Sequence, residues 1–188
     1  KLWKELYQDP AVDNEEYFNI ILNNLKNFNL IPTKHDPIIY VGDDFQKLQS
    51  RIRFAGCKRI DHTNSQALQD LFVLRCWENK RQGTYLEIGG GQPYLGNNTA
   101  LLEKRNKWNG LSIDLHQPYV DAWNESLREN PIIREDAVHL NYLDLINKYN
   151  LGNEIDYLSI DIDPAYQSLE VLKRIPFEEV KFGVITFE

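Results

Sequence analysis

The stretch from Gly83 to Asp114 reads GTYLEIGGGQPYLGNNTALLEKRNKWNGLSID, and it decides how the chain is organised. Residues 85–88 form a short run with β preference, Gly89, Gly90 and Gly91 follow, and after a loop an amphipathic segment carries Leu101 and Leu102. That pattern predicts strand, glycine turn and helix. A second strand over residues 111–113 ends in Asp114, 23 positions after Gly91. A strand-helix-strand nucleotide site carries at this spacing the acid that accepts both ribose hydroxyls. Glycines let the backbone approach a ligand closely, and the helix start beyond them offers unpaired N–H groups. The stretch suits a nucleoside.

Details narrow the choice. A dinucleotide fingerprint needs a third glycine where this chain has Tyr94, preceded by Pro93. A phosphate-cradling loop needs Gly-Lys-Ser/Thr, whereas Gly96 is followed by Asn97 and Asn98. An acid stands two residues before the first glycine, and Glu87-x-Gly89-x-Gly91 resembles the first motif of class I S-adenosylmethionine-dependent methyltransferases. The run from Asn97 to Glu103, the run from Trp108 to Asp114, the upstream segment Ser65 to Val73 and the downstream segment Ile155 to Asp163 together resemble the FkbM-like branch of that family. The likeness spans residues 61–188. It departs from the branch at Pro164 and Tyr166, where many members carry Gly and an acid, and the role of that acid is open here.

The resemblance implies a Rossmann-like doubly wound parallel sheet, strand order 3-2-1-4-5, with the family's final two strands not present. It also implies S-adenosylmethionine as cofactor, held by Glu87, Gly89, Gly91 and Asp114. Asp136, just past the third strand, falls where the family's acid meets the adenine amino group; a loop or helix-cap aspartate is the plain alternative.

Length and composition set bounds. The chain has 188 residues, 42% hydrophobic and 26% charged, enough for one ordinary core. Beginning at Lys1 without any methionine, it reads as a piece of a longer polypeptide. The net charge of −7 and the lack of a dense basic run argue against nucleic acid as a partner. Cys57 and Cys76 lack metal-ligand spacing and the four histidines are scattered, so no metal site is expected. Without an apolar run of about 20 residues or a signal-peptide pattern, the expectation is a cytoplasmic protein without a membrane span.

Residues 1–60 read as an N-terminal appendage: a helix from Asp13 carrying Tyr17, Phe18, Ile21, Leu22, Leu25 and Phe28, a strand over 38–41, and a helix from Asp44. Residues 61–188 read as the methyltransferase core. Ser65 is expected to cap a helix that turns Leu68, Leu71, Phe72 and Leu74 inward and ends near Lys80. Further helices are expected around residues 119–127, 140–149 and 165–173, with strands at 132–133, 155–162 and 180–187. The fifth strand is expected to present an unfinished edge, to be met by a further segment or a second copy.

Methyl transfer to a hydroxyl needs alignment and removal of one proton. Asp161 and Asp163 are expected two apart on the fourth strand, facing one side beside the transferable methyl group, and so are the candidate catalytic residues. A general base, an anchor for a metal or sugar hydroxyl, and a structural acceptor of loop amides are the roles open to them. His116 follows Asp114 on a loop; Gln69 and Asp70 face either the ligand or the helix packing. The leading function is an O-methyltransferase acting on a small-molecule or glycan hydroxyl. Two others stand beside it: a nicotinamide-binding oxidoreductase fragment, and a catalytically silent binding or scaffold module.

Overall fold

A computed structural model describes residue 60 and residues 63–188. The appendage expected over residues 1–60 lies outside the described residues, Ile60 apart. At the centre is β1 (Thr84–Ile88), which pairs in parallel with β2 (Asn109–Asp114) on one side and β4 (Glu154–Ile160) on the other. Beyond these lie β3 (Ile132–Arg134), next to β2, and β5 (Lys181–Phe187), next to β4. The sheet is parallel throughout, in the order β3-β2-β1-β4-β5. This is an α/β, Rossmann-like fold.

Among the described residues five α-helices flank the strands: α1 (Gln69–Cys76), α2 (Ala100–Asn106), α3 (Gln117–Asn124), α4 (Tyr142–Lys148) and α5 (Ala165–Leu172). Alternation along β1 divides the core. Leu86 and Ile88 join Leu111, Ile113, Tyr142, Ile146 and Val171 in one layer, while Tyr85 joins Leu71, Leu74, Leu101, Leu102 and Trp108 in the other. Both faces of the central strands are covered, so β1 and β2 are almost wholly buried, including their polar members Glu87 and Ser112. At roughly 1.5–3 kcal/mol per buried large aliphatic or aromatic side chain, this double layer is what holds the sheet together.

Local expectations change at three places. Ser65 is not the N-cap residue of α1: Leu68, at φ 64°, holds that place, and the Ser65 hydroxyl accepts the Asp70 amide at 3.3 Å while donating to the Asp70 carboxylate at 2.8 Å. Asp70 is wholly buried and also takes the Asn64 amide at 2.8 Å and the Leu71 amide at 2.7 Å, so it draws residues 63–65 into a turn ahead of the helix. Phe72 points outward, since Leu71 and Leu74 take the inward line, and α1 stops at Cys76 because Glu78 and Asn79 both adopt positive φ. The third change is at the end of β4. The strand stops at Ile160, because the backbone N–H and C=O of Ile162 both pair with the Ser168 hydroxyl, at 3.2 and 3.0 Å. Asp161 and Asp163 therefore sit in a turn and not on the strand.

The chain crosses from β1 to β2 on one side and has β4 on the other, so a crevice opens at the carboxyl ends of these strands. Among the described residues no helix is long and apolar enough to cross a membrane.

Candidate functional site

The glycine turn is built by two different needs. Gly89 has φ 87°, and a Cβ there would lie 1.8 Å from the Asp161 carbonyl oxygen, so this glycine is required for β1 and the end of β4 to meet. Gly91 has φ 53°, a left-handed conformation that favours glycine, and among the described residues nothing lies within 4 Å of where a Cβ would stand.

Asp114, the last residue of β2, lies against that turn. Its Oδ2 accepts the Gly91 amide at 2.8 Å and its Oδ1 accepts the His116 amide at 2.8 Å. The carboxyl group is pushed up from its ordinary range by burial, against the pull of these two amides. A carboxylate offers about four lone-pair directions. With one used on each oxygen, a pair remains for a diol.

Behind the turn lies a buried polar node. Glu87, 1% exposed, accepts from Ser112 Oγ at 2.6 Å, Thr99 Oγ1 at 2.9 Å and Asn97 Nδ2 at 3.4 Å, all on Oε2. Burial pushes its carboxyl up to about 7, opposed by the nearby Arg128 guanidinium. Glu87 thus ties β1 to β2 and to the loop that follows the glycines. Arg128, on the connection from α3 to β3, reaches the same loop from outside. It donates to Glu103 Oε2 at 2.8 Å, to the Pro93 carbonyl at 2.6 Å, to Asn97 Oδ1 at 3.0 Å, to Tyr85 Oη at 3.2 Å and to Thr99 Oγ1 at 2.9 Å. Its guanidinium carbon stands 3.9 Å from the Trp123 ring centroid. Asn97 relays the constraint: Oδ1 also accepts the Thr99 and Ala100 amides at 3.0 and 2.7 Å, and Nδ2 donates to the Gly90 carbonyl at 2.9 Å.

On the β4 side, Asp161 is half-buried and accepts from Asn98 Nδ2 at 3.4 Å, while Asn98 Nδ2 also donates to Ser159 Oγ at 3.0 Å. Burial, followed by the neighbouring Glu188 carboxylate, raises Asp161 to about 6. The Glu188 amide bonds the Ile160 carbonyl at 3.1 Å, which holds this second acid at the same end of the sheet. Asp163 is exposed. The expectation that Asp161 and Asp163 face one way from one strand is corrected: the turn that Ser168 imposes separates a half-buried carboxylate from an exposed one.

Asp136 caps a 3-10 turn (Ala137–His139), its Oδ1 accepting the Val138 amide at 3.0 Å and its Oδ2 lying 2.8 Å from His139 Nδ1. It is exposed, and the His139 bond holds its carboxyl below the usual range. His116 is exposed at the start of α3, with its ring edge-on to Tyr119. Gln69 accepts the Ala67 amide at 2.8 Å, and Asp70 serves its own turn. Neither Gln69 nor Asp70 has a described bond to Asp114 or Asp161, although Asn64, held by Asp70, donates to the Tyr94 carbonyl at 3.1 Å.

Arg128, Asn98, Ser112, Thr99 and Glu188 join the site without having been picked out in the sequence. Arg128 lies in the polar run from Glu125 to Asn130, where neither periodicity nor a motif marks it.

Neither a protein-family model nor a curated protein matches the chain. Among the described residues no group of three or more His, Cys, Asp or Glu is placed to hold a metal ion. A nucleoside cofactor does fit what is there: open space over Gly91, two lone-pair directions left on Asp114, and two buried amide atoms without a partner on the intervening loop, Gln92 Nε2 and Asn98 Oδ1.

Proposed function

We propose that this chain is an S-adenosylmethionine-dependent O-methyltransferase acting on a hydroxyl of a small molecule or glycan. The observation that carries the proposal is the pairing of Gly91 and Asp114 at the carboxyl ends of β1 and β2, with Glu87 fixing the turn from behind. Asp114 would receive the ribose diol, and Gly91 would lie under the ligand. Asp136, at the end of β3, is the candidate for the adenine amino group. The cofactor, when bound, supplies an electrophilic methyl group.

The chain's own contribution is binding, alignment and one proton movement. Asp161 is the group for that proton. Raised to about 6, its carboxyl is ionised at neutral pH yet more basic than an ordinary aspartate, which suits a general base toward an acceptor hydroxyl. Asp163, exposed in the same turn, is the candidate for contact with the acceptor's outer groups. A cytoplasmic location is part of this reading.

Calorimetric titration with S-adenosylhomocysteine and, separately, with NAD tests the proposal. The expected result is binding of the first and not the second. Asp114→Ala is expected to weaken S-adenosylhomocysteine by about 1.5–3 kcal/mol, roughly 10- to 150-fold, the cost of a lost charge-assisted bond. Binding of NAD alone would move the chain to the oxidoreductases. S-adenosylhomocysteine binding without turnover on any hydroxyl acceptor would favour a silent module.

A further inference from the structure

The segment 91–99 has no helix or strand, yet it carries the unsatisfied polarity of the fold. Among the described residues, the buried side-chain atoms without a hydrogen-bond partner are Gln92 Nε2 and Asn98 Oδ1. Asn98 is 4% exposed, and the nitrogen of the same amide lies 3.4 Å from Asp161 Oδ2. Leaving a buried donor and a buried acceptor unpaired is costly, and a ligand that offers both kinds of group relieves it. What matters is how the segment is kept in this arrangement before any ligand arrives.

Its course is set from outside. Tyr94 is pinned at both ends of its residue, the hydroxyl accepting the Leu127 amide at 3.0 Å and the carbonyl accepting Asn64 Nδ2 at 3.1 Å. The principal hold is Arg128. A guanidinium has five N–H groups in a rigid fork, and here all five are used. Three go to the segment, at Pro93, Asn97 and Thr99; the other two, to Glu103 and Tyr85, fix the fork to α2 and β1. A lysine ammonium keeps the charge but cannot reach three separated acceptors in one plane while also bonding Glu103.

We propose that Arg128 is the positioning residue of this site: its guanidinium holds segment 93–99, and through it the Asn98 amide beside Asp161, in the arrangement that receives the ligand. Arg128 is buried and acts through Asn97 and Thr99, without touching the ligand itself. The identity of that ligand rests on the methyltransferase reading; the clamp does not.

Hydrogen exchange of the ligand-free chain tests the clamp directly, because the Thr99 and Ala100 amides both end on Asn97 Oδ1, which Arg128 holds. In Arg128→Lys these two amides are expected to exchange at least about tenfold faster, while core amides at residues 86–88 and 111–113 keep their rates. Affinity for S-adenosylhomocysteine is expected to fall at least about tenfold in the same variant. Lys173→Ala, which removes an exposed ion pair with Glu170 outside the clamp, is the control, and both readouts should stay at wild type.

Unchanged exchange at Thr99 and Ala100 in Arg128→Lys overturns the proposal, and so does a loosened segment with unchanged affinity. If wild type does not bind S-adenosylhomocysteine, the methyltransferase reading fails, and the exchange comparison still decides whether Arg128 presets the segment. If Arg128→Lys loses core protection throughout, Thr99→Val replaces it. Removing that hydroxyl takes away one Arg128 acceptor together with its bond to Glu87, and should speed Ala100 exchange by about threefold with the core intact; no change there overturns the proposal.

Discussion

Asp114 ends one of the two strands that flank β1 and Asp161 directly follows the other, and they are held in different ways. Asp114 is 7% exposed, and two backbone amides, from Gly91 and His116, fix its two oxygens at 2.8 Å each. Asp161 stands one residue past its strand, half-buried, with a single long side-chain bond from Asn98 and a second acid, Glu188, beside it. Burial raises both carboxyl groups above their ordinary range, but at Asp114 two aimed backbone amides oppose the rise, whereas at Asp161 the neighbouring Glu188 adds to it. On the proposed reading the first end binds and the second does chemistry.

The largest expected effect separates the two ends. Asp161→Asn should lower turnover at saturating cofactor by about 10²- to 10⁴-fold, the usual contribution of a general base, while S-adenosylhomocysteine affinity stays within about twofold. Turnover in wild type should rise with pH and level off above about 6, where Asp161 is ionised, and this limb should vanish in the variant. If instead affinity falls and turnover survives, Asp161 is a second binding carboxylate and the contrast with Asp114 is wrong.

The joint between the two ends is Gly89. A methyl group there would press into the Asp161 carbonyl at a φ that other residues avoid, and the obstacle is backbone, which cannot swing aside. Gly89→Ala is expected to cost about 3–5 kcal/mol in urea denaturation. A loss below about 1 kcal/mol would mean that β4 and its turn shift easily, so that the position of Asp161 is not set by the sheet.

Glu87 gives the binding side its own pH signature. Its carboxyl stands near 4.5 in the unfolded chain and is pushed up to about 7 in the fold, so between these values the folded state holds a proton that the unfolded state has released. Its contribution to stability is full below about 4.5 and falls as pH rises toward 7, by on the order of 3 kcal/mol in all. The charged group that acts on it is the Arg128 guanidinium, itself paired with Glu103. Denaturation midpoints measured from pH 4.5 to 7.5 should slope downward in wild type and flatten in Glu87→Gln. An equal slope in both would show that Glu87 keeps its charge in the fold, compensated by Arg128.

What the sequence shows of this contrast is uneven, for physical reasons. The alternation of strands and helices, the glycine turn and Asp114 are visible because each follows from local pattern: apolar runs, three glycines, and an acid at strand-helix-strand spacing. The end of β4 is misread because Ile-Asp-Ile-Asp alternates like a strand, while what stops it is the hydroxyl of Ser168, six residues past Ile162. Glu87 is visible as a motif residue, but its depth is not, since that depends on Ser112 and Thr99 arriving from other segments. Arg128 is invisible for the same reason: its hydrogen-bond partners come from three separate stretches, and nothing in its neighbours along the chain differs from a solvated loop.

The smallest effect on stability falls on Gly91, and it bears most directly on where the ligand lies. Gly91→Ala puts a methyl group where nothing stands within 4 Å, so the only intrinsic penalty is the left-handed backbone at φ 53°, about 1–2 kcal/mol. Its amide can still donate to Asp114, and the fold should persist with a slightly lower midpoint. On the proposed reading, the added methyl group takes up space beside the ligand that Asp114 holds. Affinity for S-adenosylhomocysteine should therefore fall by more than the stability change, and Gly91→Val should abolish binding. A variant that binds as wild type does would put the ligand away from the glycine turn, and Asp114 would then be a carboxylate that holds only its own two amides.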